Sequence, residues 1–232
     1  DDDYFPIAFT SYHELRYAVE MYIRDPSPYT EIATTYGHPI GSWDVSGITD
    51  MKYIFGWKPY FNEDLSKWDV SNVRNMYAMF YECEHFNQDL SHWNVENAES
   101  MEKMFSYATA FNGDVSSWNT AKVANMRHMF AHAKAFNRDV SNWSVSSVDT
   151  IEAMFLGTDA FNQGLSAWDV SRVTIMKYMF GMASIFNQPL NAWNVSNVRN
   201  MDRVFSKGTF NSDISQWDTS NVGTMDGMFS DA

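Results

Sequence analysis

Two histidines form the first arrangement in the sequence that could do chemistry. His128 and His132 are four residues apart in the segment His-Met-Phe-Ala-His. On a helix, two histidines at this spacing can share a metal ion. No glutamate follows the first histidine, and no third ligand is evident in the sequence. We therefore expect no metal site here and interpret both side chains as part of a solvated face.

A second candidate is a set of aspartates that return at the same place in a repeating pattern. If the repeats stack about 5 Å apart, these carboxylates repel each other unless calcium or backbone N–H groups compensate. Gly164 and Pro189 interrupt the set and cannot supply side-chain ligands, so we favour turn capping over calcium. The aspartates are Asp64, Asp89, Asp114, Asp139 and Asp213.

A third set of polar residues follows each repeating tryptophan. Asp, Asn and Ser exchange freely at this position, which favours local backbone capping over acid–base chemistry. The sequence also lacks a Ser-His-Asp order, a glycine-rich phosphate loop and Cys/His metal spacing. We therefore predict no catalytic residue, no cofactor and no enzyme. The set is Asp44, Asp69, Asn94, Asn119, Ser144, Asp169, Asn194 and Asp218.

Composition narrows the classes of partner. The chain of 232 residues has a formal net charge of −13, which argues against a nucleic-acid partner because phosphate binding needs clustered Lys and Arg. No run of 18 apolar residues is present, so we predict no transmembrane segment. The one cysteine, Cys83, shares its repeat position with small residues and is predicted to be a buried small hydrophobe.

The element that must position all of these residues is an internal repeat of 25 residues. Its columns also include Met or Ile eight positions after each tryptophan, Phe twelve positions after it, and a recurrent Phe-Asn pair. A single unit cannot bury its apolar face alone, whereas stacked units bury a continuous core. The repeating tryptophans are Trp43, Trp68, Trp93, Trp118, Trp143, Trp168, Trp193 and Trp217.

Within one unit, the pattern predicts a strand followed by a helix. Leu90 to Val95 matches the Leu-x-x-Leu-x-Leu strand of a leucine-rich repeat, with Trp at the middle position. Ser71 is a predicted N-cap for a short helix, because Val73, Met76, Met79 and Phe80 form one apolar stripe. The asparagines of the Phe-Asn pairs, from Asn62 to Asn211, are predicted to form a buried amide ladder that bonds the backbone of neighbouring units.

The predicted fold class is therefore an α/β solenoid. It is a leucine-rich-repeat-like, right-handed superhelix of eight strand–helix units at residues 40–232, behind an N-terminal helical cap at residues 1–39. The cap contains a helix that starts at a capping box, Ser11 to Glu14, and ends at Asp25, followed by a loop from Pro28 to Pro39. The C-terminal unit has no cap in the sequence, so we expect either that the chain continues beyond residue 232 or that a partner chain covers this unit.

The repeat resembles that of the BspA family of leucine-rich-repeat surface proteins. Residues 61–80 carry the motif as Phe-Asn-Glu-Asp-Leu-Ser-Lys-Trp-Asp-Val-Ser-Asn-Val-Arg-Asn-Met-Tyr-Ala-Met-Phe, and the resemblance covers about residues 40–232. That family is found on bacterial surfaces and in many unicellular eukaryotes, and some members act in adhesion. The resemblance implies a binding or structural role and supplies no catalytic residue.

A protein partner is expected on the face formed by the exposed strand positions. A rival surface on the helix side carries Arg74, Arg127, Lys177 and Arg203. The predicted partner-binding residues are Lys67, His92, Asn94, Ser117, Asn119, Asn142, Asn194 and Gln216.

Two functions remain open. The first is a non-catalytic interaction module for adhesion or recognition, outside the cell or at its surface. The sequons at Asn142 and Asn194 are glycosylation candidates and weak indicators of secretion, and Asn194 is predicted to face outward. The second is a structural or accessory subunit of a larger assembly, associated with an organelle or membrane of a unicellular eukaryote.

Overall fold

A computed structural model describes residues 6–232, so residues 1–5 of the predicted cap lie outside the described residues. The described chain begins with helix α1 (Tyr12–Arg24), helix α2 (Glu31–Tyr36) and one 3₁₀ turn (Ile40–Ser42). From there to residue 232 it contains no further helix, and parallel pairing between units is limited to isolated one-residue bridges.

Helix α1 confirms the predicted helix in the cap. The Ser11 hydroxyl accepts the N–H of Glu14 at 3.2 Å, which satisfies an otherwise unpaired donor in the first turn. The Glu14 carboxylate reaches back to the N–H of Thr10 at 3.0 Å. Its apolar face has the helical spacing of three and four residues and is buried at Leu15, Ala18, Val19 and Tyr22.

Helix α2 lies inside the segment that was predicted to be a loop. The Thr30 side chain accepts the N–H of Ala33 at 3.2 Å, and Gly37, with φ of 99°, ends the helix. Only Ala33 is buried in these six residues. A helix of this length with one buried position has no apolar stripe, which is why the sequence pattern did not indicate it.

The predicted α/β solenoid of strand–helix units is wrong, because each unit is a succession of turns. In the second unit, the N–H of Ala78 bonds the carbonyl of Glu102 at 2.8 Å in the next unit. The N–H of Met79 bonds the carbonyl of Met76, three residues earlier in its own unit, at 3.2 Å. Backbone donors thus alternate between the neighbouring unit and a local turn, and the i to i−4 bonds of an α-helix are not formed.

Successive four-residue turns explain why the sequence resembled a helix. One turn spans Met76–Met79 and the next spans Phe80–Cys83, and the residues at both ends of each turn are fully buried. These ends fall at i, i+3, i+4 and i+7, which is also the spacing of a helical stripe. The third residue of each turn, Ala78 or Glu82, has a positive φ of 52° or 57°, as in a type II turn.

The predicted strand also forms a turn. The N–H of Trp93 bonds the carbonyl of Leu90 at 3.0 Å, three residues earlier. Parallel pairing occurs instead seven positions after each tryptophan, inside the segment predicted to be helical. The bridges are Asp50↔Asn75, Asn75↔Ser100, Ser100↔Asn125, Asn125↔Thr150, Thr150↔Ile175, Ile175↔Asn200 and Asn200↔Thr224.

Three columns of stacked aromatic rings fill the interior. Ring centroids are 5.3–5.8 Å apart along the column from Phe55 to Phe229. They are 5.8–6.1 Å apart from Phe61 to Phe210. Four stacked tryptophan pairs lie at 5.9–6.5 Å. The cap continues this core, since Phe9 packs 5.3 Å from Trp43.

The repeating tryptophans also form hydrogen bonds between neighbouring units. From Trp68 onward, the indole N–H donates to a backbone carbonyl of the preceding unit at 2.8–3.0 Å. Buried polar groups destabilise a fold unless they are paired. The tryptophan column thus combines apolar burial with a hydrogen bond that fixes the register of neighbouring units.

The predicted asparagine ladder is confirmed, although it lies at the surface edge rather than in the interior. Each side-chain oxygen from Asn62 to Asn187 accepts the backbone N–H of the next asparagine in the column at 2.7–3.0 Å. Asn112 and Asn137 are half-buried, and Asn62 and Asn187 are exposed. The ladder therefore closes the turn at one edge of every unit.

Replacing Asn112 with alanine should lower the free energy of unfolding by about 1–2 kcal/mol, because the half-buried N–H of Asn137 loses its acceptor. The Asn112→Asp variant keeps an acceptor and should lose less. Asn142→Ala, an exposed position outside the ladder, is the control and should change little. Urea unfolding followed by circular dichroism measures all three. Equal losses in the free energy of unfolding for Asn112→Ala and Asn142→Ala would show that the ladder does not stabilise the fold.

Candidate interaction surface

All eight predicted partner-binding residues are exposed, so the side of the molecule that they form is accessible. They flank the tryptophan column, whose rings point inward and are buried. Both sequon asparagines belong to this set. The exposed residues, which we call the polar face, are Lys67, His92, Asn94, Ser117, Asn119, Asn142, Asn194 and Gln216.

Several side chains of the polar face also accept hydrogen bonds from the backbone of their own turns. The side-chain oxygens of Asn94, Asn119 and Asn194 each accept the N–H of the residue two positions later, at 3.1–3.2 Å. These are Asx turns, and they confirm that the column after each tryptophan caps local turns. Ser71 takes part in the same motif, because its N–H donates to Asp69, so its predicted role as a helix N-cap is wrong.

The five aspartates of the repeating set, from Asp64 to Asp213, are confirmed as turn caps. Each accepts the N–H of a serine two positions later at 2.8–2.9 Å. Hydrogen bonds from Ser66 and Ser116 hold the pKa of Asp64 and Asp114 below the ordinary value. In the column after the tryptophans, the Ser71 hydroxyl and N–H lower the pKa of Asp69 in the same way.

These lowered pKa values give an expected pH dependence. The stabilisation is present above about pH 4, where the carboxylate is ionised even in the unfolded chain, and is lost as the pH falls through the lower folded pKa. In Asp64→Asn/Asp114→Asn, the amide oxygen still caps the turn but does not titrate. The melting temperature of this variant should therefore fall less between pH 7 and pH 3 than that of the unmodified chain.

The matched control for this experiment is Asp149→Asn/Asp159→Asn, which removes the same charge from exposed aspartates whose carboxylates cap no turn within residues 6–232. Thermal unfolding should show that the control keeps the full acid sensitivity. If the melting temperatures of both double variants fall equally between pH 7 and pH 3, net charge rather than capping determines the response to acid.

The two histidines do not share a helix. His128 and His132 occupy the third positions of successive turns, with φ of 54° and 60°, and the His132 ring stacks 4.5 Å from Tyr107. Burial lowers the pKa of both side chains. Within residues 6–232, no three His, Cys, Asp or Glu side chains gather in a way that could hold a metal ion.

Cys83 is buried, as predicted. Its Sγ–H donates to the carbonyl of Phe55 at 3.0 Å, and burial raises the pKa of the thiol to about 12. The thiolate is the reactive form of cysteine, so this side chain is inert at neutral pH.

The residues of the rival basic surface lie in turns rather than helices, and Arg74 and Arg203 are exposed whereas Arg127 and Lys177 are half-buried. Arg74 pairs with Glu99 at 2.8 Å, and both side chains are more than half exposed. Arg127 bonds Glu152 at 2.6 Å, and Arg203 donates to the Tyr178 hydroxyl at 3.0 Å. An exposed pair such as Arg74–Glu99 contributes at most about 1 kcal/mol.

At the C-terminal unit, Phe229 stacks on Phe205 with the ring centroids 5.5 Å apart and is 48% exposed. The partner chain expected at this unit stays a prediction.

A set of rings on the first four units was not predicted. Tyr53 stacks on Trp57 with the ring centroids 4.7 Å apart, and Tyr77 meets Tyr53 edge-on at 5.0 Å. The series continues from Trp57 to Tyr81 (5.6 Å), from Tyr81 to Tyr107 (6.1 Å) and from Tyr107 to His132 (4.5 Å). We call these six residues the aromatic ribbon: Tyr53, Trp57, Tyr77, Tyr81, Tyr107 and His132.

One sequence signal could have revealed the aromatic ribbon. Its members stand nine to fourteen positions after a tryptophan, and aromatic residues are frequent at these places only in the first four units. A single helix with a variable, solvated face, which the pattern predicts for this region, does not account for the uneven distribution of rings along the repeat. A second missed column, from Asp50 to Asn200, forms Asx turns at the bridges.

Of the helices in the described part of the chain, none has the length and apolar character that a membrane crossing requires.

Comparison with known proteins identifies one family. The model of a family described as "Mycoplasma protein of unknown function, DUF285" matches residues 28–143 and residues 130–232. The two matches together run from residue 28 to residue 232, so a repeat-containing domain covers most of the chain. No curated protein and no solved structure matches.

Proposed function

The chain belongs to the DUF285 family, and on this premise we propose that it is a non-catalytic repeat module that binds other proteins at or outside the cell surface.

The observation that carries this proposal is the use of polar side chains by the fold. Asp64 and Asp114 cap turns, Cys83 is buried and protonated, and the indole N–H of Trp118 bonds a backbone carbonyl. Residues that could otherwise do chemistry are therefore engaged in the fold: Asp64 and Asp114 within their own units, and Cys83 and Trp118 between units. The exposed positions keep the 25-residue step but differ in type from unit to unit, as expected of a surface that contacts a partner.

Two further observations support a surface location. The motif of residues 61–80 resembles the BspA family, whose members occur on bacterial surfaces. Asn142 and Asn194, the sequon asparagines, are both exposed and thus accessible to modification.

Crosslinking of the native protein in its source cells, followed by capture and mass spectrometry, tests the proposal. We expect mostly free protein, with sub-stoichiometric amounts of surface or matrix proteins crosslinked through the exposed columns. Recovery of one fixed, stoichiometric set of neighbours would contradict it and favour a structural subunit of a larger assembly. Biotinylation of intact cells tests location separately, since a surface protein is labelled before lysis.

A further inference from the structure

A groove between the end of α1 and the segment at residues 57–63 is lined mainly by apolar and aromatic side chains. Its volume is about 290 Å³, and Ile23 and Pro26 line it on the side of α1. Two of its rings face solvent, since Trp57 is 51% exposed and Tyr60 is 82% exposed. Phe61, a core ring that also lines the groove, is only 6% exposed. The groove therefore offers aromatic surface that the core does not use.

The fold does not require an aromatic ring at position 60. In steps of 25 residues, this position holds His85 and then Ala110, Ala135 and Ala160. The same turn forms at each of them, because the N–H of the following phenylalanine bonds the carbonyl three residues earlier. The exposed ring of Tyr60 is thus available for contact with a ligand.

Both exposed rings are held in place by their neighbours. Trp57 stacks on Tyr53 with the ring centroids 4.7 Å apart and meets Tyr81 edge-on at 5.6 Å. The Tyr60 ring lies 5.2 Å from the ring of His85, which is itself hydrogen-bonded to the adjoining backbone at 2.9 Å. Rigid aromatic side chains lose little conformational entropy when a ligand binds.

The polar groups of the groove indicate an uncharged ligand with hydroxyl groups. Lys58, the cation in the groove, is already paired with Glu20 at 2.7 Å. The Trp57 indole N–H, the Tyr60 hydroxyl and the Glu63 carboxylate have no hydrogen-bond partner among residues 6–232. The groove thus has both donors and an acceptor to offer. Lysine and arginine side chains only donate hydrogen bonds and proline residues only accept them, whereas a hydroxyl does both.

Sugar rings combine such hydroxyls with an apolar face. The C–H groups of that face carry partial positive charge and pack on the negative face of an aromatic ring. In a β-1,4-linked chain of glucose-type sugars the hydroxyls are equatorial, so the faces of the rings stay open for stacking.

We propose that this groove binds a neutral β-1,4-linked glycan, with one sugar stacked on Trp57 and its hydroxyls bonded to Tyr60 and Glu63. The volume of about 290 Å³ is at the lower end of small-molecule sites, so the groove holds a short stretch of the glycan. The site adds a ligand to the proposed protein-binding role and does not rest on it.

Isothermal titration calorimetry of the whole chain with cellohexaose, and separately with chitohexaose, measures the binding. Trp57→Ala should weaken it by about tenfold or more, because the stacked ring is lost, and Trp57→Phe should lose less. Glu63→Gln should weaken it several-fold, since a neutral hydrogen bond replaces a charge-assisted one. The matched control is Tyr29→Ala, which removes a tyrosine that is 90% exposed outside the groove and should stay within about twofold.

The indole N–H signal of Trp57 in a ¹⁵N spectrum supplies a second readout that needs no alanine variant. Its absence in Trp57→Phe identifies the signal, and at least one of the two oligosaccharides should shift it. Circular dichroism shows whether each variant is folded. If neither oligosaccharide shifts the signal, or if Trp57→Ala and Tyr29→Ala bind both equally, the inference is wrong. If a decaproline peptide rather than the oligosaccharides depends on Trp57, the groove is a peptide site and the inference is again wrong.

Discussion

Replacing Phe130 with alanine is expected to lower the free energy of unfolding by about 3–5 kcal/mol. The ring is fully buried and stacks between Phe105 and Phe155, with centroid distances of 5.6 and 5.8 Å. Its removal leaves a cavity in the middle of a close-packed column, which the units on either side cannot fill without moving. Urea unfolding followed by far-UV circular dichroism measures the loss.

The same column supplies a matched control for this change. Phe229 occupies the equivalent position in the last unit, where it is 48% exposed and stacks on Phe205 alone. Phe229→Ala should therefore cost only about 1 kcal/mol, because little buried apolar surface is lost. Similar costs for Phe130→Ala and Phe229→Ala would contradict a continuous aromatic core.

The second large effect is expected at Trp118, where apolar burial and a hydrogen bond act together. Trp118→Phe removes the indole N–H and leaves the buried carbonyl of Leu90 without that donor, at a cost of about 1–3 kcal/mol. Trp118→Ala also removes the ring that stacks 5.9 Å from Trp143, and should cost about 3–5 kcal/mol. The difference between the two variants separates the hydrogen bond from packing.

Trp57→Ala is the control for the tryptophan series, because this ring is 51% exposed and belongs to the aromatic ribbon rather than the core. Its cost should stay below about 1 kcal/mol. Urea unfolding followed by far-UV circular dichroism measures the loss for Trp118→Phe, Trp118→Ala and Trp57→Ala. A loss at Trp57 as large as that at Trp118 would mean that the ribbon belongs to the core.

Sequence reasoning identified the core and the stacking register because these depend on residue type alone. The phenylalanine and tryptophan columns keep a step of 25 residues, and only stacked units place such columns in contact. The asparagine ladder and the aspartate caps followed from the same register, since a short polar side chain repeated beside a turn has few partners other than the backbone.

The local structure was not predictable in the same way. The buried ends of two consecutive four-residue turns reproduce the spacing of a helical stripe, so periodicity could not distinguish Met76–Cys83 from a helix. The deciding property is the positive φ at Ala78 and Glu82, and neither residue type favours it. Contacts with the next unit impose this conformation, and one unit considered alone does not reveal them.

The candidate site was predicted in part. The polar face is exposed, as its alternation with buried tryptophans indicated, but its asparagines also cap turns. The aromatic ribbon was not predicted because its positions were assigned to the solvated face of a helix, where a ring needs no partner in the next unit. In the structure, stacked turns place Tyr53 against Tyr77 and Trp57 against Tyr81 of the next unit.

The most direct test of this account is the hydrogen-bond partner of a single amide. Scalar couplings across hydrogen bonds, measured by NMR on deuterated, ¹⁵N- and ¹³C-labelled protein, connect a donor nitrogen to its acceptor carbonyl carbon. The account predicts a coupling from the Ala78 nitrogen to the carbonyl of Glu102, in the next unit. A coupling from Ala78 to the carbonyl of Arg74, four residues earlier, would show that the unit contains a helix after all and would contradict the stacked-turn fold.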